Sequence, residues 1–305
     1  MESTPVAQVR RFNRTVTQRI GVLADGYLSR SRPLSQARLL WEIGPEGSEV
    51  RALRSRLDLD SGHLSRLLRA LEADGLATVE AEGSDGRVRM ARLTEAGLAE
   101  RSELDRLSDD LAISILAPLT DRQRDRLVTA MGEVERLLLA SMVEVAVVDP
   151  RHPHARHCMR AYFTELGRRF SDGFDPARTL PAADEVLTPP AGLFLVATLH
   201  GDPVGCCGLK FHGDAPGEVK RMWVDGSVRG LGLGRRLLAE VETHAAAHGV
   251  RTLRLDTNRA LVEAIAMYRS SGYREVEAFN DEPYAHHWFE KTLAPAAGRA
   301  GRSIS

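Results

Sequence analysis

The sequence predicts two domains of different fold class: a mainly α winged helix-turn-helix unit, followed by an α/β unit with a mixed, splayed sheet. Three observations lead to this prediction. The first half has helical periodicity broken by one short β-like stretch. The last third alternates strands with helices, and a glycine-rich turn, VRGLGLGRRLL (228–238), begins one of those helices.

The composition is that of an ordinary globular protein. The chain has 305 residues, 43% of them hydrophobic, which is enough for two domains with separate cores. The formal net charge is −1, so any affinity for DNA must come from local clusters of arginine. The sequence contains neither a signal-peptide pattern nor an apolar run of membrane-spanning length, and we expect a cytoplasmic protein without membrane contact.

The joint between the domains is predicted where helical periodicity stops at prolines and histidines, around VVDPRHPHARH (147–157). We therefore place the first domain at 1–146 and the second at 147–293. The remaining residues, 294–305, are rich in Ala, Gly and Arg and are predicted to be a disordered tail.

The first domain has the parts of a winged helix-turn-helix. Helical segments 49–57 and 63–76 are joined by the polar corner DLDSG and followed by a hairpin pattern at 77–94 with GSDG as its turn. The second helix would lie in the major groove of DNA. The candidate DNA-binding residues are polar positions of that helix and arginines of the wing: Ser61, His63, Ser65, Arg66, Arg69, Arg87 and Arg89. The alternative is that these side chains only form solvated surfaces.

Over roughly residues 6–142 the chain resembles the MarR family of regulators. The resemblance rests on LSQARLLWEI (34–43), SGHLSRLLRALEADGLA (61–77), the wing GSDGRVRMARLTEAG (83–97) and two flanking helices. It implies that Asp85 orients Arg87 at the wing tip, where SDGR stands in place of the more usual Asp-Arg-Arg type of tip. It also implies a homodimer formed by the outer helices, which would bind a palindromic DNA site.

The glycine-rich turn predicts a phosphate-binding site. A dinucleotide fingerprint is excluded, because counting G-x-G-x-x-G from Gly230 puts Arg235 at the third glycine. A P-loop is excluded because no Gly-Lys-Ser/Thr follows. What remains is a turn whose backbone N–H groups, at the start of helix 232–248, point at a pyrophosphate.

This segment resembles motif A of the GNAT acetyltransferases, Arg/Gln-x-x-Gly-x-Gly/Ala, which Arg229, Gly232 and Gly234 match. The preceding EVKRMWV (218–224) and the following LRLDTNRALVEAIAMYRSSGYREV (253–276) match the family's strand and its motif B in the correct order. The resemblance covers about residues 150–292.

The GNAT resemblance implies acetyl-CoA as cofactor and an amine, small molecule or protein, as acceptor. Tyr268 would protonate the departing CoA thiolate, or it is an ordinary half-buried helix tyrosine. The residues implied to bind the cofactor arm and pyrophosphate are Met222, Trp223, Val224, Arg229, Gly230, Leu231, Gly232, Leu233, Gly234, Arg235 and Asn258.

Acetyl transfer requires that the amine lose a proton and that a tetrahedral oxyanion be stabilised, most simply by a backbone N–H near Val224. Glu218 is the candidate base, directly or through water. The equal alternative is that Glu218 pairs with Lys220 or Arg221 on a solvated strand face. Glu165 and Asp175 are weaker candidates.

The acceptor is expected against the helix and loop at 155–176 and the last hairpin. The candidate acceptor-binding residues are Phe163, Phe170, Phe174, Asp175, Tyr284 and His287, each of which could instead serve packing. The histidines at 152, 154 and 157 lack a cysteine or carboxylate partner, and the three cysteines are not spaced for zinc, so no metal site is predicted.

Two functions stay open at this point. In the first, the chain is a bifunctional MarR-like transcriptional regulator and acetyl-CoA-dependent N-acetyltransferase that works by direct attack of the amine in a ternary complex. In the second, it is a regulator whose GNAT domain senses acetyl-CoA or a metabolite without turnover. The glycines, Asn258 and Tyr268 favour the first, because a sensor does not need a general acid.

Overall fold

The computed structural model describes residues 4–21, 28, 32–82, 88–171, 173–180 and 183–294. The chain forms two compact units, 1–133 and 134–305, and the division falls within a long helix. The tail predicted from residue 294 lies, apart from Ala294 itself, outside the described residues.

The described part of the first unit consists of helices around a small antiparallel sheet. Its elements are α1 (Pro5–Arg19), α2 (Leu34–Ile43), β1 (Ser48–Glu49), α3 (Val50–Arg56), α4 (Ser61–Ala73), β2 (Ala77–Glu82), β3 (Val88–Leu93), α5 (Glu95–Leu116) and α6 (Asp121–Met142), of which α6 continues into the second unit. The three strands are ordered β1-β3-β2.

Local sequence explains where α4 and α5 begin. The Asp60 carboxylate accepts a hydrogen bond from the His63 N–H at 2.8 Å, and the Thr94 hydroxyl accepts one from the Gly97 N–H at 3.1 Å. Both bonds satisfy N–H groups that a helix leaves without an internal partner. The hairpin of β2 and β3 pairs Ala77 with Leu93 through to Glu82 with Val88, as the alternating pattern predicts.

The second unit is an α/β domain built on a seven-stranded sheet. Its further elements are β4 (Glu144–Val147), α7 (Pro153–Arg169), β5 (Gly192–Leu199), β6 (Asp202–His212), β7 (Ala215–Val224), α8 (Leu233–Ala247), β8 (Thr252–Thr257), α9 (Val262–Ser270), β9 (Arg274–Val276) and β10 (His287–Thr292). The strand order is β4-β5-β6-β7-β8-β10-β9. The sheet is mixed, because β7 and β8 are parallel and the other pairs are antiparallel.

The structure corrects the predicted boundary at 146/147. Strand β4 pairs antiparallel with β5, and Val143, which immediately precedes it, is buried in the core of the second unit. The Arg236 guanidinium on α8 donates to the Val143 carbonyl at 2.7 Å. These residues belong to the α/β unit because their backbone and side chains are satisfied there.

Strand β9 is short and ends at Val276. It pairs with β10 at only three positions, at the edge of the sheet. No helix within the described ranges combines the length and apolar character that crossing a membrane would require.

Candidate active site and DNA-binding face

The centre of the sheet is open between β7 and β8. These strands pair only at Gly217 with Leu253 and at Glu218 with Arg254, and beyond those positions they diverge. Two cavities lie along the divergence. We call the larger, of about 390 Å³, the cofactor cavity and the smaller, of about 90 Å³, the acceptor cavity.

The cofactor cavity contains most of the residues predicted to bind the cofactor. They are Met222, Trp223, Val224, Arg229, Gly230, Gly232, Leu233, Gly234 and Arg235. Leu231 is not in its lining and packs instead against the core of the unit. Asn258 lines the acceptor cavity.

The glycine turn leaves backbone open at the start of α8. Gly230 and Gly232 have φ of +86° and +77°, which side-chain-bearing residues rarely adopt. A Cβ at either position would meet no other atom within 4 Å, so the space beside the turn is open. Because the first N–H groups of a helix have no internal partner, this turn presents donors to an anion.

The two arginines of the turn differ in their surroundings. The Arg229 guanidinium bonds both carboxylate oxygens of Glu165 at 2.6 Å. Burial alone would raise the pKa of Glu165, but the bonds from Arg229 and from the Trp223 indole outweigh it and lower that pKa. Among the described residues Arg235 has no carboxylate partner, and its side chain is exposed. The charge of Arg229 is therefore neutralised locally, whereas that of Arg235 is available to a phosphate.

Tyr268 is buried on α9 and lines both cavities. Its hydroxyl lies 3.7 Å from the Met222 sulfur, a weak acceptor. Burial raises the pKa of Tyr268 well above its ordinary value, so the hydroxyl keeps its proton at neutral pH. A protonated tyrosine therefore lines both cavities.

Glu218 lies in a network of ion pairs and lines neither cavity. Its carboxylate is 2.8 Å from the Lys220 ammonium and 3.5 Å from that of Lys210. Burial would raise the pKa of Glu218, but the charge of Lys220 and the other cations lower it. Lys220 also bonds Asp256 at 2.7 Å. This geometry matches the ion-pair alternative for Glu218, although these side chains are half-buried rather than solvated.

The acceptor cavity contains three of the predicted aromatic residues, Phe170, Phe174 and Tyr284. Their rings pack on one another at centroid distances of 5.0–5.8 Å. Phe163 stacks on Phe174 at 5.9 Å outside the lining. The cavity is therefore walled on one side by aromatic rings.

Two other predicted acceptor residues lie outside this cavity. The Asp175 carboxylate accepts from the Ala177 N–H at 2.9 Å, which caps a short 3₁₀ turn. The His287 ring bonds the Glu275 carboxylate at 2.6 Å across the edge of the sheet. Asn258 likewise has a structural contact, since its amide donates to the Tyr284 carbonyl at 2.7 Å and its carbonyl accepts from the Ala260 N–H at 2.8 Å.

The candidate DNA-binding helix α4 has one buried and one open face. Its apolar residues are buried in the core of the first unit: Leu64, Leu67, Leu68 and Leu71. Ser61, Arg66 and Arg69 are exposed, and His63 and Ser65 are half-buried between the two faces. Arg89 is exposed on β3, whereas Asp85 and Arg87 of the wing tip lie outside the described residues.

A family model described as the acetyltransferase (GNAT) family matches residues 154–273, and one described as the MarR family matches residues 31–88. An IAA acetyltransferase of Azospirillum brasilense is 38% identical over 122 residues, which are 39% of this chain and 78% of that protein. The chain belongs to the GNAT acetyltransferase family. Its second unit is an N-acetyltransferase domain, fused to a MarR-type domain.

Two further proteins are more distantly similar. The N-acetylaspartate synthetase of Homo sapiens is 27% identical over 199 residues, 63% of this chain and 63% of that protein. A solved GNAT-family acetyltransferase of Staphylococcus aureus is 18% identical and covers 50% of this chain and 99% of its own, with a TM-score of 0.43.

The acetyltransferase domain also places residues in its cavities that the sequence did not indicate. Tyr162 lines both cavities, and Arg221 and Glu282 line the acceptor cavity. Arg221 directly precedes Met222 in the strand that the GNAT motif identifies, so its place in the sequence could have indicated that it lies near the site. Glu282 had no such signal, because the loop that carries it matches no motif.

No group of three or more His, Cys, Asp or Glu side chains is arranged to hold a metal ion in the described ranges. The rings of His152 and His154 contact each other edge to face at 4.8 Å, and the His152 ring accepts from the His154 N–H at the start of α7. These histidines therefore begin a helix.

Proposed function

We propose that this protein transfers the acetyl group of acetyl-CoA to an amine by direct attack in a ternary complex, and that its MarR-type domain binds DNA. One observation carries the enzymatic part: the Tyr268 side chain lines both the cofactor cavity and the acceptor cavity. A donor bound on one side and an amine on the other would react next to this hydroxyl.

The lining of the cofactor cavity supports acetyl-CoA as its ligand. Left-handed glycines keep side chains away from the start of α8, where free N–H groups and the exposed Arg235 suit a pyrophosphate. The backbone of Met222 and Trp223 lies on the diverging part of β7, where β8 does not occupy its hydrogen-bonding edge. This edge suits the amide groups of the pantetheine arm. When bound, acetyl-CoA supplies an activated acyl group.

The residues then supply orientation and a proton. The aromatic wall positions the acceptor, and the neutral Tyr268 hydroxyl gives its proton to the sulfur as the thiolate leaves. A backbone N–H near Val224 is the donor for the charge that develops on the carbonyl oxygen. Glu218 pairs with Lys220, which lines the acceptor cavity and also bonds Asp256, so any part that Glu218 plays as a base is indirect.

The proposal of an amine acceptor is supported by the relatives. The name of the human protein describes synthesis of N-acetylaspartate, whose acceptor is an amino group. The acceptor cavity of about 90 Å³ is small, which favours a small acceptor over a bulky one.

Thiol release from acetyl-CoA, measured across a panel of amines with the full chain, tests the enzymatic proposal. We expect an acceptor that raises thiol release well above slow hydrolysis, with acetylated amine formed in equal amount. If acetyl-CoA binds in calorimetry but no amine accelerates thiol release, the non-catalytic sensor becomes the better description.

The DNA-binding part rests on the open face of α4, with Arg66 and Arg69 exposed above a buried leucine stripe. We propose that the unit acts as a homodimer. Exposed apolar side chains on the long outer helices support this, because a second copy would cover them: Val6, Val9, Phe12, Ile113, Val128, Met131, Leu137 and Leu138. A two-fold dimer presents two α4 helices and therefore requires two half-sites.

A binding selection on random DNA with the full chain tests this part. We expect an enriched palindrome, with loss of sequence preference in Arg66→Ala. Arg151→Ala is the matched control, since Arg151 is an exposed arginine of the second unit that pairs with Glu185. No enriched motif with the unaltered protein would contradict the regulator assignment.

A further inference from the structure

The acceptor cavity contains a cation without an anionic partner. Among the described residues no carboxylate lies within 4.0 Å of the Arg221 guanidinium, whereas its neighbour Lys220 is fully paired with Glu218 and Asp256. The only side-chain hydrogen bond that Arg221 makes in the described structure is a long one, 3.4 Å, to the Thr179 hydroxyl. Its Nε is buried and has no acceptor there. A buried donor without a partner is costly, so the site calls for an acceptor that the described residues do not supply.

The backbone directs Arg221 into this cavity. The pairing of β6 with β7 shifts from Cys206 with Trp223 to Gly208 with Lys220, so β7 carries an extra residue there. Arg221 lies in this bulge with φ of +55°, a strained conformation for a residue with a side chain. The bulge turns the side chain of Arg221 toward the cavity that Lys220 also lines.

Aromatic rings hold the guanidinium in place. Its carbon lies 4.9 Å from the centroid of Phe163 and 5.9 Å from that of Tyr162. Stacking on these faces orients the planar fork of donors without occupying it. This is the arrangement that bidentate recognition of a carboxylate requires.

An acidic group lines the same cavity without contacting Arg221. One oxygen of Glu282 accepts from the Leu180 N–H at 2.9 Å, and the other, Oε1, is buried without a partner among the described residues. The two groups are separate, because no Arg221–Glu282 ion pair lies within 4.0 Å. The cavity thus presents a free cationic fork and a free carboxylate oxygen at different places on its wall.

We infer that the acceptor is a small zwitterion of the α-amino acid type, whose carboxylate binds Arg221 and whose ammonium group docks on Glu282. This inference rests on the proposed acetyltransferase function and names its substrate class. Glu282 accepts one proton from the ammonium group, and the neutral amine then forms the N–C bond as the C–S bond breaks. The departing thiolate takes the Tyr268 proton, and the second amine proton, which leaves as the amide forms, returns to the Tyr268 oxygen. Arg221 decides specificity and takes no part in proton transfer.

The test compares the twenty standard L-amino acids with their α-carboxamides, which keep the amine and lose the anion. With the full chain we expect at least one amino acid to exceed its amide roughly 10- to 100-fold in kcat/KM, the scale of a hydrogen bond to a charged group. Arg221→Met should bring this ratio close to one and leave the KM of acetyl-CoA unchanged, because Arg221 does not line the cofactor cavity. Arg221→Lys should restore part of the preference.

Arg254→Met is the matched control, since Arg254 also stacks on an aromatic ring, Phe279, but lines neither cavity. The ratio of kcat/KM for the amino acid to kcat/KM for its amide should be the same in Arg254→Met as in the parent. If the parent acetylates each α-carboxamide with a kcat/KM equal to or above that of its amino acid, the inference is overturned, and the acetyltransferase function still stands. This comparison needs no variant, so a poorly folded Arg221→Met does not obscure it. Absence of thiol release with every amine would overturn both proposals.

Discussion

At the scale of single residues, Tyr268 combines burial with an almost unused hydroxyl. Its ring lies 5.9–6.1 Å from the rings of Phe289 and Tyr273, so packing fixes it. Within the described part of the chain, the Tyr268 hydroxyl has one hydrogen-bond partner, the Met222 sulfur. A group held in this way can change its hydrogen bond during a reaction without moving the fold.

Tyr268→Phe keeps the ring and removes the proton donor. We expect the rate of acetyl transfer to fall by ~10²-fold, the usual scale for a lost general acid, with acetyl-CoA affinity and melting temperature nearly unchanged. Thiol-release kinetics beside calorimetry of acetyl-CoA measure the two effects. Tyr273→Phe is the control, because Tyr273 belongs to the same core but lines neither cavity. Its rate of acetyl transfer should equal that of the parent. Equal rates for Tyr268→Phe would remove this residue from the mechanism.

Glu218 differs from Tyr268, because both of its carboxylate oxygens are engaged in ion pairs. Its pKa is lowered in the folded protein, so its ion pairs stabilise the fold above the ordinary carboxyl pKa. That contribution is lost as the pH falls through the lowered pKa.

Glu218→Gln should therefore destabilise the second unit near pH 7 by about 1–3 kcal/mol. This is less than the cost of leaving a buried charge unpaired, because Lys220 still pairs with Asp256. The difference from the parent should shrink as the pH falls from 7 through the lowered pKa of Glu218, where the parent carboxyl also becomes protonated. Urea unfolding in a Trp41→Phe background reports on this unit, since Trp223 and Trp288 both belong to it. A difference that stays constant over this pH range would contradict the ion-pair role.

At the scale of elements, the beginning of α8 serves cofactor binding and packing at once. Gly232 precedes the helix in a left-handed conformation with open space beside it. Gly234, two residues later, faces α9, where a Cβ would approach the Met267 sulfur to 2.9 Å. Glycine is needed at the first position for the turn and at the second for close contact between helices.

Gly232→Val should abolish acetyl-CoA binding, because the side chain would fill the space beside the N–H groups and strain the turn. Calorimetry with acetyl-CoA measures this loss. Gly213→Val is the matched control for strain, since Gly213 has φ of +61° with open space around it in the turn between β6 and β7. Binding by Gly232→Val comparable to that of the control would exclude the glycine turn as the pyrophosphate site.

At the scale of the whole molecule, one chain segment serves both units. Helix α6 begins in the first unit, and β4, which follows it, completes the sheet of the second. Val143 lies between α6 and β4. Its carbonyl accepts a hydrogen bond from the guanidinium of Arg236, which lies in the first turn of α8.

A fragment of residues 134–294 should bind acetyl-CoA with the affinity of the full chain, because both cavities lie within it. A fragment of residues 149–294 lacks Val143 and β4, exposes the edge of β5, and should melt about 5–10 °C lower. Thermal melting and calorimetry of the two fragments check this expectation. Equal melting temperatures would show that β4 contributes nothing to the stability of the second unit.

The sequence by itself determined the features that are local in the chain. The glycine turn and α8 are adjacent residues, and the leucine stripe of α4 follows from helical periodicity. Both domain families were predicted, and the comparisons confirm them. Strand β4 was missed because a four-residue strand directly after a long helix has too few positions to show a period of two.

The tertiary structure decided which charges remain free. Arg229 precedes the glycine turn, and only folding shows that Glu165, 64 residues away, neutralises it. Lys220 and Arg221 are adjacent and chemically alike, yet the first pairs with Asp256, 36 residues away, and the second faces a cavity without an acidic partner among the described residues. Periodicity and motifs describe neighbours along the chain, whereas the charge available at a site depends on contacts between segments that only the packed sheet brings together.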